Sequence, residues 1–248
     1  MTTNITLLGT GVAIPQKERV QSGILLDDAD NPILLDCGAG ILQRLTETGC
    51  DHIKIDNVIL SHLHLDHVSD VLPLIKANWL CDKNHISIFG PTGTEKWMTS
   101  LLEIYPYLKD VTIDITELNP YDIFTVNDMQ IECIPTIHSM PSLGYKVHAD
   151  SVFLYSGDTE PVRPIINASS DCRLLIHECS FPDSISDVTN HTTPTSLGNM
   201  LQKGGPDELV LTHLYPHTRG FEDEMVHTIL DICEIPVQIG SDLQKIVL

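Results

Sequence analysis

Histidine or aspartate residues follow several apolar, strand-like runs of this chain, each at the point where the run ends. The segments that share this pattern are "LLDCG", "ILSHLHLDH", "CIPTIH", "LYSGDT", "LLIHECS" and "LVLTHLYPH". In α/β proteins the ends of strands meet at one edge of a sheet, where binding sites are built. The pattern therefore predicts that His and Asp side chains from distant parts of the chain meet in one site.

Helix-like stretches alternate with these runs along the whole chain. They cover residues 40–49, 67–80, 94–106, 193–205 and 221–233. The fourth stretch has a clear beginning, because Thr193 suits an N-cap and Pro194 the first helical position. The alternation predicts an α/β architecture in which helices cover sheets. No linker-like or low-complexity segment interrupts the 248 residues, so we predict a single domain over residues 1–248.

The chain is strongly acidic. It carries 34 acidic and 14 basic residues, which gives a formal net charge of −20. Nucleic-acid backbones are bound mainly through Lys and Arg, so this balance disfavours a long polyanion as a partner. A small anion held by bound metal ions remains compatible, because the metals change the local field.

The composition also predicts the compartment. No apolar stretch is long enough to cross a bilayer, and the N-terminus lacks the pattern of a secretory signal. The seven cysteines contain no C-x-x-C pair, which is typical of reduced thiols and argues against a disulfide scaffold or a cysteine zinc site. We therefore expect a cytoplasmic protein without a membrane partner.

The segment "SHLHLDH", residues 61–67, contains the densest group of candidate ligands. His62 and His64 are two residues apart, so an extended backbone directs both imidazoles to the same side. Asp66 and His67 follow where the helical pattern begins, and the turn of the chain directs them elsewhere. One segment can thus give two ligands to each of two neighbouring ions. A catalytic zinc ion needs three protein ligands, so further donors must come from distant strands.

Three residues at other strand ends complete the predicted ligand sets. The ligands of the first ion are His62, His64 and His138, those of the second are Asp66, His67 and His213, and Asp158 bridges the two ions. Imidazole and carboxylate ligands favour zinc, with manganese and iron as alternatives. Two such ions about 3.5–4 Å apart activate a bridging hydroxide. This chemistry suits hydrolysis of a phosphodiester, a thioester or a lactam.

The ligand set resembles that of the metallo-β-lactamase fold superfamily, and the order of the motifs resembles its ribonuclease Z-like branch. The matching segments span nearly the whole chain and include "LLGTGVAIPQKERVQSGILL", "LLDCGAG", "SHLHLDH", "HSMPSLGYKV", "SGDT", "HECSF", "HTTPTS" and "LTHLYPH". The resemblance implies a four-layer αββα sandwich with a dinuclear site at one edge. It also implies a homodimer as a candidate assembly, although the sequence itself does not define the oligomeric state.

The resemblance further implies a pair of residues beside the metals. Glu178 of "HECSF" would orient His191 of "HTTPTS", and His191 would protonate the leaving oxygen or stabilise charge in the transition state. A histidine next to a carboxylate stays protonated near neutral pH, which suits this role. Asp66 is expected to take a proton from the attacking water, and Asp36 to hold the ligand segment through hydrogen bonds.

One difference from ribonuclease Z bears on the substrate. In bacterial members a tRNA-gripping arm lies between the residues that match His138 and Asp158, whereas here only a short strand pair separates them. We therefore predict a zinc-dependent phosphodiesterase that acts on a small anionic phosphodiester, such as a cyclic nucleotide, rather than on tRNA. The alternatives are hydrolysis of a thioester, lactone or lactam, and a metal-bound scaffold or sensor without catalysis.

Overall fold

The computed structural model describes residues 4–27, 31–202 and 204–248, and its strands form two seven-stranded mixed sheets. The first sheet contains, in spatial order, β14 (Gln244–Val247), β1 (Asn4–Gly9), β2 (Gly23–Asp27), β3 (Ile33–Leu35), β4 (Asn57–Ile59), β5 (His85–Pro91) and β6 (Thr112–Leu118). The second contains β13 (Val237–Ile239), β12 (Glu208–Thr212), β11 (Leu174–Glu178), β10 (Val152–Tyr155), β9 (Leu143–His148), β8 (Met129–Pro135) and β7 (Ile123–Val126).

Helices cover the outer face of each sheet. Against the first sheet lie α1 (Ile41–Thr48), α3 (Val71–Leu80) and α4 (Thr94–Ile104), and the short α2 (Leu65–Val68) precedes α3. Against the second lie α5 (Arg163–Ser169), α6 (Pro194–Leu201) and α7 (Glu222–Cys233). The predicted four-layer αββα sandwich is thereby confirmed. Within the described part of the chain, no helix combines the length and the apolar character needed to cross a bilayer.

The strands are apolar on both faces because each sheet is covered on both sides. In β3, Ile33 and Leu35 face the core between the sheets, whereas Leu34 faces the helices. In β10, Phe153 faces the core between the sheets and Leu154 faces the helices on the other side. Side chains alternate between the faces of a strand, so burial of both faces requires a continuous apolar run.

The directions of the strands bring the candidate residues to one edge of the sandwich. Strand β3 is parallel to β4, and β10, β11 and β12 are parallel to one another. Two buried tyrosines tie the sheets together at this edge. Tyr145 donates from Oη to the carbonyl of Leu60 at 2.6 Å, and Tyr155 donates from Oη to Asp36 Oδ2 at 2.7 Å.

The predicted continuous helix over residues 67–80 is wrong. The chain forms two helices, α2 and α3, with a break at residues 69–70. At this break Asp70 Oδ2 accepts hydrogen bonds from the backbone N–H groups of Gly40 and Leu42, which begin α1. The Asp70 N–H also donates to the carbonyl of Cys37 at 2.9 Å. These contacts with a distant segment override the local helical pattern.

Other boundaries follow the sequence more closely. Helix α6 begins after Thr193, the N-cap that the sequence predicted, and Thr193 makes a reciprocal capping box with Ser196. Lys203, within the predicted helix 193–205, lies outside the described residues. Strand β7 and helix α5 were not predicted. The first is a short edge strand with an exposed Ile123, and the second has only seven residues and a proline in its first turn.

A buried histidine in β11 is expected to make the stability of the fold depend on pH. His177 is fully buried, and its Nδ1–H donates to the Glu178 carbonyl at 2.6 Å. Its Nε2 has no hydrogen-bond partner within the described ranges. Burial lowers the pKa of His177, so the folded protein takes up this proton less readily than the unfolded chain.

We therefore expect the free energy of unfolding to decrease as the pH falls below about 6.5, the value of an unperturbed histidine. The substitution His177→Gln removes the titrating group and should make this decrease smaller. Urea unfolding at pH 7 and pH 5 measures the difference. His227→Gln, at an exposed histidine in α7, is the matched control and should leave the pH dependence as in the wild type. An unchanged dependence in His177→Gln would contradict the explanation.

Candidate metal centre

The structure brings all seven predicted ligands together at one edge of the sandwich. They lie in the segments that follow the strands, with His62 and His64 after β4, Asp66 and His67 in α2, His138 after β8, Asp158 after β10 and His213 after β12. Their donor atoms form clusters within which the atoms lie less than 4.8 Å apart. Whether each residue is a metal ligand stays a prediction, but the chain is folded so that each is available.

The first group consists of three histidines and Asp158. The Nδ1 atom of His64 lies 3.0 Å from His62 Nε2 and 3.0 Å from His138 Nε2. Asp158 Oδ2 lies 3.6 Å from His62 Nε2 and 3.8 Å from His138 Nε2. These four donor atoms surround a space of the size that one ion occupies.

The second group consists of Asp66, His67 and His213, and it also borders Asp158. His213 Nε2 lies 3.3 Å from Asp66 Oδ2 and 3.3 Å from Asp158 Oδ2. His67 Nε2 lies 3.4 Å from Asp158 Oδ1. Asp158 therefore faces both groups, and its two oxygens are placed to contact two ions.

The donor set fits divalent cations. A tetrahedral zinc ion with bonds of about 2.0–2.2 Å holds its ligand atoms about 3.3–3.6 Å apart, close to the separations in both groups. His67 Nε2 and Asp158 Oδ1 are buried and have no hydrogen-bond partner in the described part of the chain. Unpaired polar atoms in the interior are costly. A cation between them would satisfy both, and these residues could therefore hold a metal ion.

A fully buried carboxylate orients the ligand segment from behind. Asp36 accepts four hydrogen bonds of 2.7 Å, from the Ser61 N–H, the Ser61 hydroxyl, the Tyr155 hydroxyl and His67 Nδ1–H. The last bond leaves the Nε2 lone pair of His67 directed at the second group. The expected role of Asp36, to hold the ligand segment through hydrogen bonds, is confirmed.

Similar bonds set the other imidazoles. His62 donates from Nδ1 to the Ser61 hydroxyl oxygen at 3.0 Å, and His138 donates from Nδ1 to the Asn190 carbonyl at 2.9 Å. Both therefore present Nε2 to the first group, whereas His64 presents Nδ1. The hydrogen-bond network thus selects the tautomer of each ring.

The Asp-Cys-Gly turn packs directly against the ligand helix α2. The Cys37 N–H donates to the His67 carbonyl at 2.7 Å. A Cβ atom at Gly38 would lie 2.0 Å from the Asp66 carbonyl oxygen, so no larger residue fits there. His213, on the opposite side of the centre, has a φ of 55°, a left-handed conformation that is uncommon outside glycine. Close packing and a left-handed backbone conformation thus both occur next to the ligands.

Glu178 and His191 lie side by side next to the second group. Glu178 is fully buried, and its carboxylate accepts from His191 Nδ1–H at 2.9 Å, from the Ser180 hydroxyl at 2.7 Å and from the Thr192 N–H at 3.2 Å. Burial lowers the pKa of His191, but the hydrogen bond and charge of Glu178 outweigh this, so the pKa lies above its usual value. His191 also joins a cluster of donor atoms with Asp158 and His213.

Several residues that orient the centre were not predicted from the sequence. Ser180 accepts from His213 Nδ1 at 3.0 Å and so links His213 to Glu178, and Asn190 and Tyr155 act through the bonds described above. Ser61 in "LSH" and Ser180 in "ECS" each follow a strand end, and this position was the only sign in the sequence that the two serines orient ligands. Tyr155 gave no sign, because it lies within an apolar strand.

An open cleft of about 410 Å³ lies over the centre. Its lining residues are Ala13, His64, Leu65, Asp66, His138, Ser139, Asp158, Thr189, Asn190, His191, His213 and Tyr215. Leu65 is 73% exposed at the rim, although it lies between two candidate ligands in the sequence. Phe181 stacks on Tyr215 with ring centroids 4.4 Å apart, and Tyr215 meets His191 edge to face at 5.6 Å. The cleft thus combines a polar floor with a partly apolar wall.

Known proteins share this fold over nearly the whole of this chain. The structure of YhfI, a metallo-β-lactamase fold protein from Bacillus subtilis, superposes with a TM-score of 0.88 at 23% identity and full coverage of both chains. The short form of human tRNase Z gives a TM-score of 0.81 at 23% identity, with 98% of each chain covered. Ribonuclease Z of Methanococcus maripaludis is 27% identical over 302 aligned positions, which cover 97% of this chain and 98% of the relative.

Fold and site together define a metal-dependent hydrolase of the metallo-β-lactamase fold, in its ribonuclease Z-like branch. Within this class, a family model identifies the chain more narrowly. The family model described as "Anti-Pycsar protein Apyc1" matches residues 3–230, and the chain belongs to that family.

Asp36 provides a test of the support beneath the ligands. The substitution Asp36→Asn places an amide group among the four donors that the carboxylate now accepts. We expect the affinity of the protein for zinc to fall about 10- to 100-fold, as is typical when a partner of a ligand is changed. Competition titration with a chelating dye measures the affinity. Asp114→Asn removes a carboxylate from an exposed His85 at 2.8 Å and serves as the control, with unchanged affinity expected. Equal affinities in both variants would contradict the role of Asp36.

Proposed function

We propose that this chain is a metal-dependent phosphodiesterase, with two divalent ions as cofactors and a small phosphodiester, such as a cyclic nucleotide, as substrate. The observation that carries the proposal is the joint presence of seven His and Asp donors and the Glu178–His191 pair in one cleft. Zinc is the proposed metal, because the donors are imidazoles and carboxylates, with manganese and iron as alternatives.

The ions, once bound by the seven residues, would supply Lewis acidity and a reactive water at neutral pH. The chain positions the group that would receive the proton of that water. Asp66 Oδ2 accepts from the Ala13 N–H at 2.9 Å and lies 3.3 Å from His213 Nε2. These contacts hold the Asp66 carboxylate at the edge of the cleft, where we propose that it acts as the base.

His191 is the proposed acid for the leaving oxygen. Because Nδ1–H is bonded to Glu178 at 2.9 Å, Nε2 is the nitrogen that remains to meet the substrate. The Glu178 carboxylate favours the protonated ring, in agreement with the raised pKa of His191. The side chain of His191 is 14% exposed, so its proton can reach a group in the cleft.

A small substrate is favoured over tRNA. The net charge of −20 opposes a long polyanion. The segment between His138 and Asp158 is occupied by the β9–β10 pair, and it holds no further insertion. The alignment with the Methanococcus ribonuclease Z runs over 302 positions, more than the 248 residues of this chain, so that relative carries insertions that this chain lacks.

The wall of the cleft suits an aromatic base. Tyr215 lines the cleft beside His191, and Phe181 packs on one face of the Tyr215 ring, so part of the wall is an aromatic surface. Aromatic rings stack well on such surfaces, and stacking on nucleobases tolerates different bases. A nucleotide would place its phosphate over the polar floor and its base against this wall, which supports the proposed substrate class.

Hydrolysis of a thioester, lactone or lactam is the alternative on the same centre, and the acidic surface is compatible with it. Those reactions do not need the Glu178–His191 pair. In this structure the Glu178 carboxylate is held by hydrogen bonds from His191, Ser180 and Thr192. The same ribonuclease Z-like motifs that support phosphodiester cleavage contain both residues of this pair. The phosphodiesterase is therefore favoured.

Zinc-loaded protein should hydrolyse bis(p-nitrophenyl) phosphate or a cyclic nucleotide, and the activity should be lost in His64→Ala and after chelation. A panel of thioesters, lactones and lactams, assayed in parallel, separates the two chemistries. Turnover on that panel alone would favour the alternative. Metal binding without turnover on either panel would favour a non-catalytic scaffold.

His191→Gln tests the proposed acid. It should lower kcat about 10²- to 10⁴-fold for a substrate with a poor leaving group, the usual contribution of general acid catalysis. The metal content should stay that of the wild type, and the loss should be smaller for p-nitrophenolate, which needs no protonation. His217→Gln, at an exposed histidine that is not among the residues lining the cleft, is the control and should keep the wild-type kcat. Loss of metal together with activity would instead assign His191 to the ligands.

The assembly and location are proposed on the resemblance and the composition. We infer a homodimer in the cytoplasm, with the whole chain acting as one domain. Sedimentation of the purified protein at several concentrations tests the dimer, and a monomer at all concentrations would contradict it.

A further inference from the structure

A second carboxylate network lies behind the centre, in the segment between β13 and β14. Asp242 has a side chain that is only 5% exposed. Its Oδ1 accepts from the Thr10 N–H at 3.0 Å and from the Thr10 hydroxyl at 2.8 Å. Its Oδ2 accepts from the Val20 N–H at 2.8 Å and pairs with Arg44 Nη2 at 3.2 Å. Residues 10–22 form the loop that joins β1 to β2, which we call the first loop. The Asp242 carboxylate binds both ends of this loop, at Thr10 and Val20.

The first loop contacts Asp66 of the second group and Leu214, the residue that follows His213. The Ala13 N–H donates to Asp66 Oδ2 at 2.9 Å, and the Ser22 N–H donates to the Asp66 carbonyl at 3.1 Å. The Thr10 carbonyl accepts from the Leu214 N–H at 2.9 Å, directly after His213. The first loop therefore sets the side chain of Asp66 and the backbone next to His213.

The path from Asp242 to these residues is short. Thr10 is bonded to Asp242 through its N–H and hydroxyl, and to Leu214 through its carbonyl. Gln16, within the first loop, donates from Nε2 to the Leu214 carbonyl at 2.7 Å. Arg19, also within the first loop, donates from Nη1 to the carbonyl of Gly240, which lies near Asp242 in the sequence, at 2.6 Å. The loop has no helix or strand between residues 10 and 22. These bonds hold it together with backbone bonds, among them Gly11 N–H to the Val20 carbonyl at 2.8 Å and Gly38 N–H to the Ser22 carbonyl at 2.9 Å.

The first group is held by other contacts. His62 and His138 donate to Ser61 and Asn190, and neither of those bonds involves the first loop. We propose that Asp242 is a positioning residue for the second metal group alone, acting through the first loop on Asp66 and His213. The inference rests on the proposed ligands of the two ions and names a residue that lies outside the cleft.

The test is the affinity for each of two zinc ions. Asp242→Asn keeps the size of the side chain but turns an amide toward N–H donors. One zinc equivalent should bind at least about tenfold more weakly, as for other partners of ligands, while the second keeps the wild-type affinity. Titration of the metal-free protein against a chelator resolves the two equivalents. Asp171→Asn, which removes the partner of the buried Lys146 at 2.7 Å, is the control for a lost carboxylate elsewhere.

A double variant shows whether Asp242 acts through Asp66. In an Asp66→Ala background, which has lost the tight second equivalent, Asp242→Asn should have no further effect on the remaining ion. A general loosening of the fold would weaken both equivalents and would add to the effect of Asp66→Ala. Either of these results would overturn the inference, as would wild-type affinities for both ions in Asp242→Asn.

The same titration separates this inference from the proposed function. Wild-type protein that binds no zinc, manganese or iron would overturn the metal centre and the inference with it. Two tightly bound ions in both the wild type and Asp242→Asn would overturn the inference alone.

Discussion

Asp158 is 2% exposed, and its two oxygens lie 3.3–3.8 Å from nitrogens of four histidines. Burial of a carboxylate costs desolvation free energy unless nearby positive charge balances it, so removal of its partners destabilises the folded state. Burial raises the pKa of Asp158, but the surrounding histidines hold it well below its usual value, so the group is anionic. The histidines around it come from three separate strand ends, those of β4, β8 and β12. The fold around this edge is therefore arranged to keep one charge and its counter-charges together.

The two sheets meet this requirement from opposite sides. The first sheet delivers the "SHLHLDH" segment after β4, and the second delivers His138, Asp158 and His213 after β8, β10 and β12. Hydrogen bonds that cross the sandwich join the two halves, and the bond from Tyr155 to Asp36 is the clearest, because Asp36 also receives the Nδ1–H of His67. A change in how the sheets pack would move the ligands relative to one another, so core packing and the metal centre are coupled.

Orientation of the ligands is divided among independent networks. Asp36 and Ser61 serve one side of the centre, Glu178 and Ser180 serve the other, and Asp242 closes the loop that reaches Asp66. Each network ends in a carboxylate that is buried or nearly so. This explains part of the unusual charge of the protein, since some of its acidic residues face the interior and act on imidazoles and N–H groups.

Local spacing in the sequence determined the ligand segment: His62 and His64 lie two residues apart on an extended chain, and Asp66 and His67 lie in the next turn. The alternation of apolar runs determined the architecture, and polar residues at strand ends indicated which distant residues would meet. Tertiary structure alone decided the rest. The break before α3 and the roles of Tyr155, Asn190 and Asp242 depend on partners far away in the chain, 28 residues for Asp70 and 232 for Asp242. Such partners leave no periodic pattern, because hydrogen bonds between distant segments depend on where the packed sheets place them.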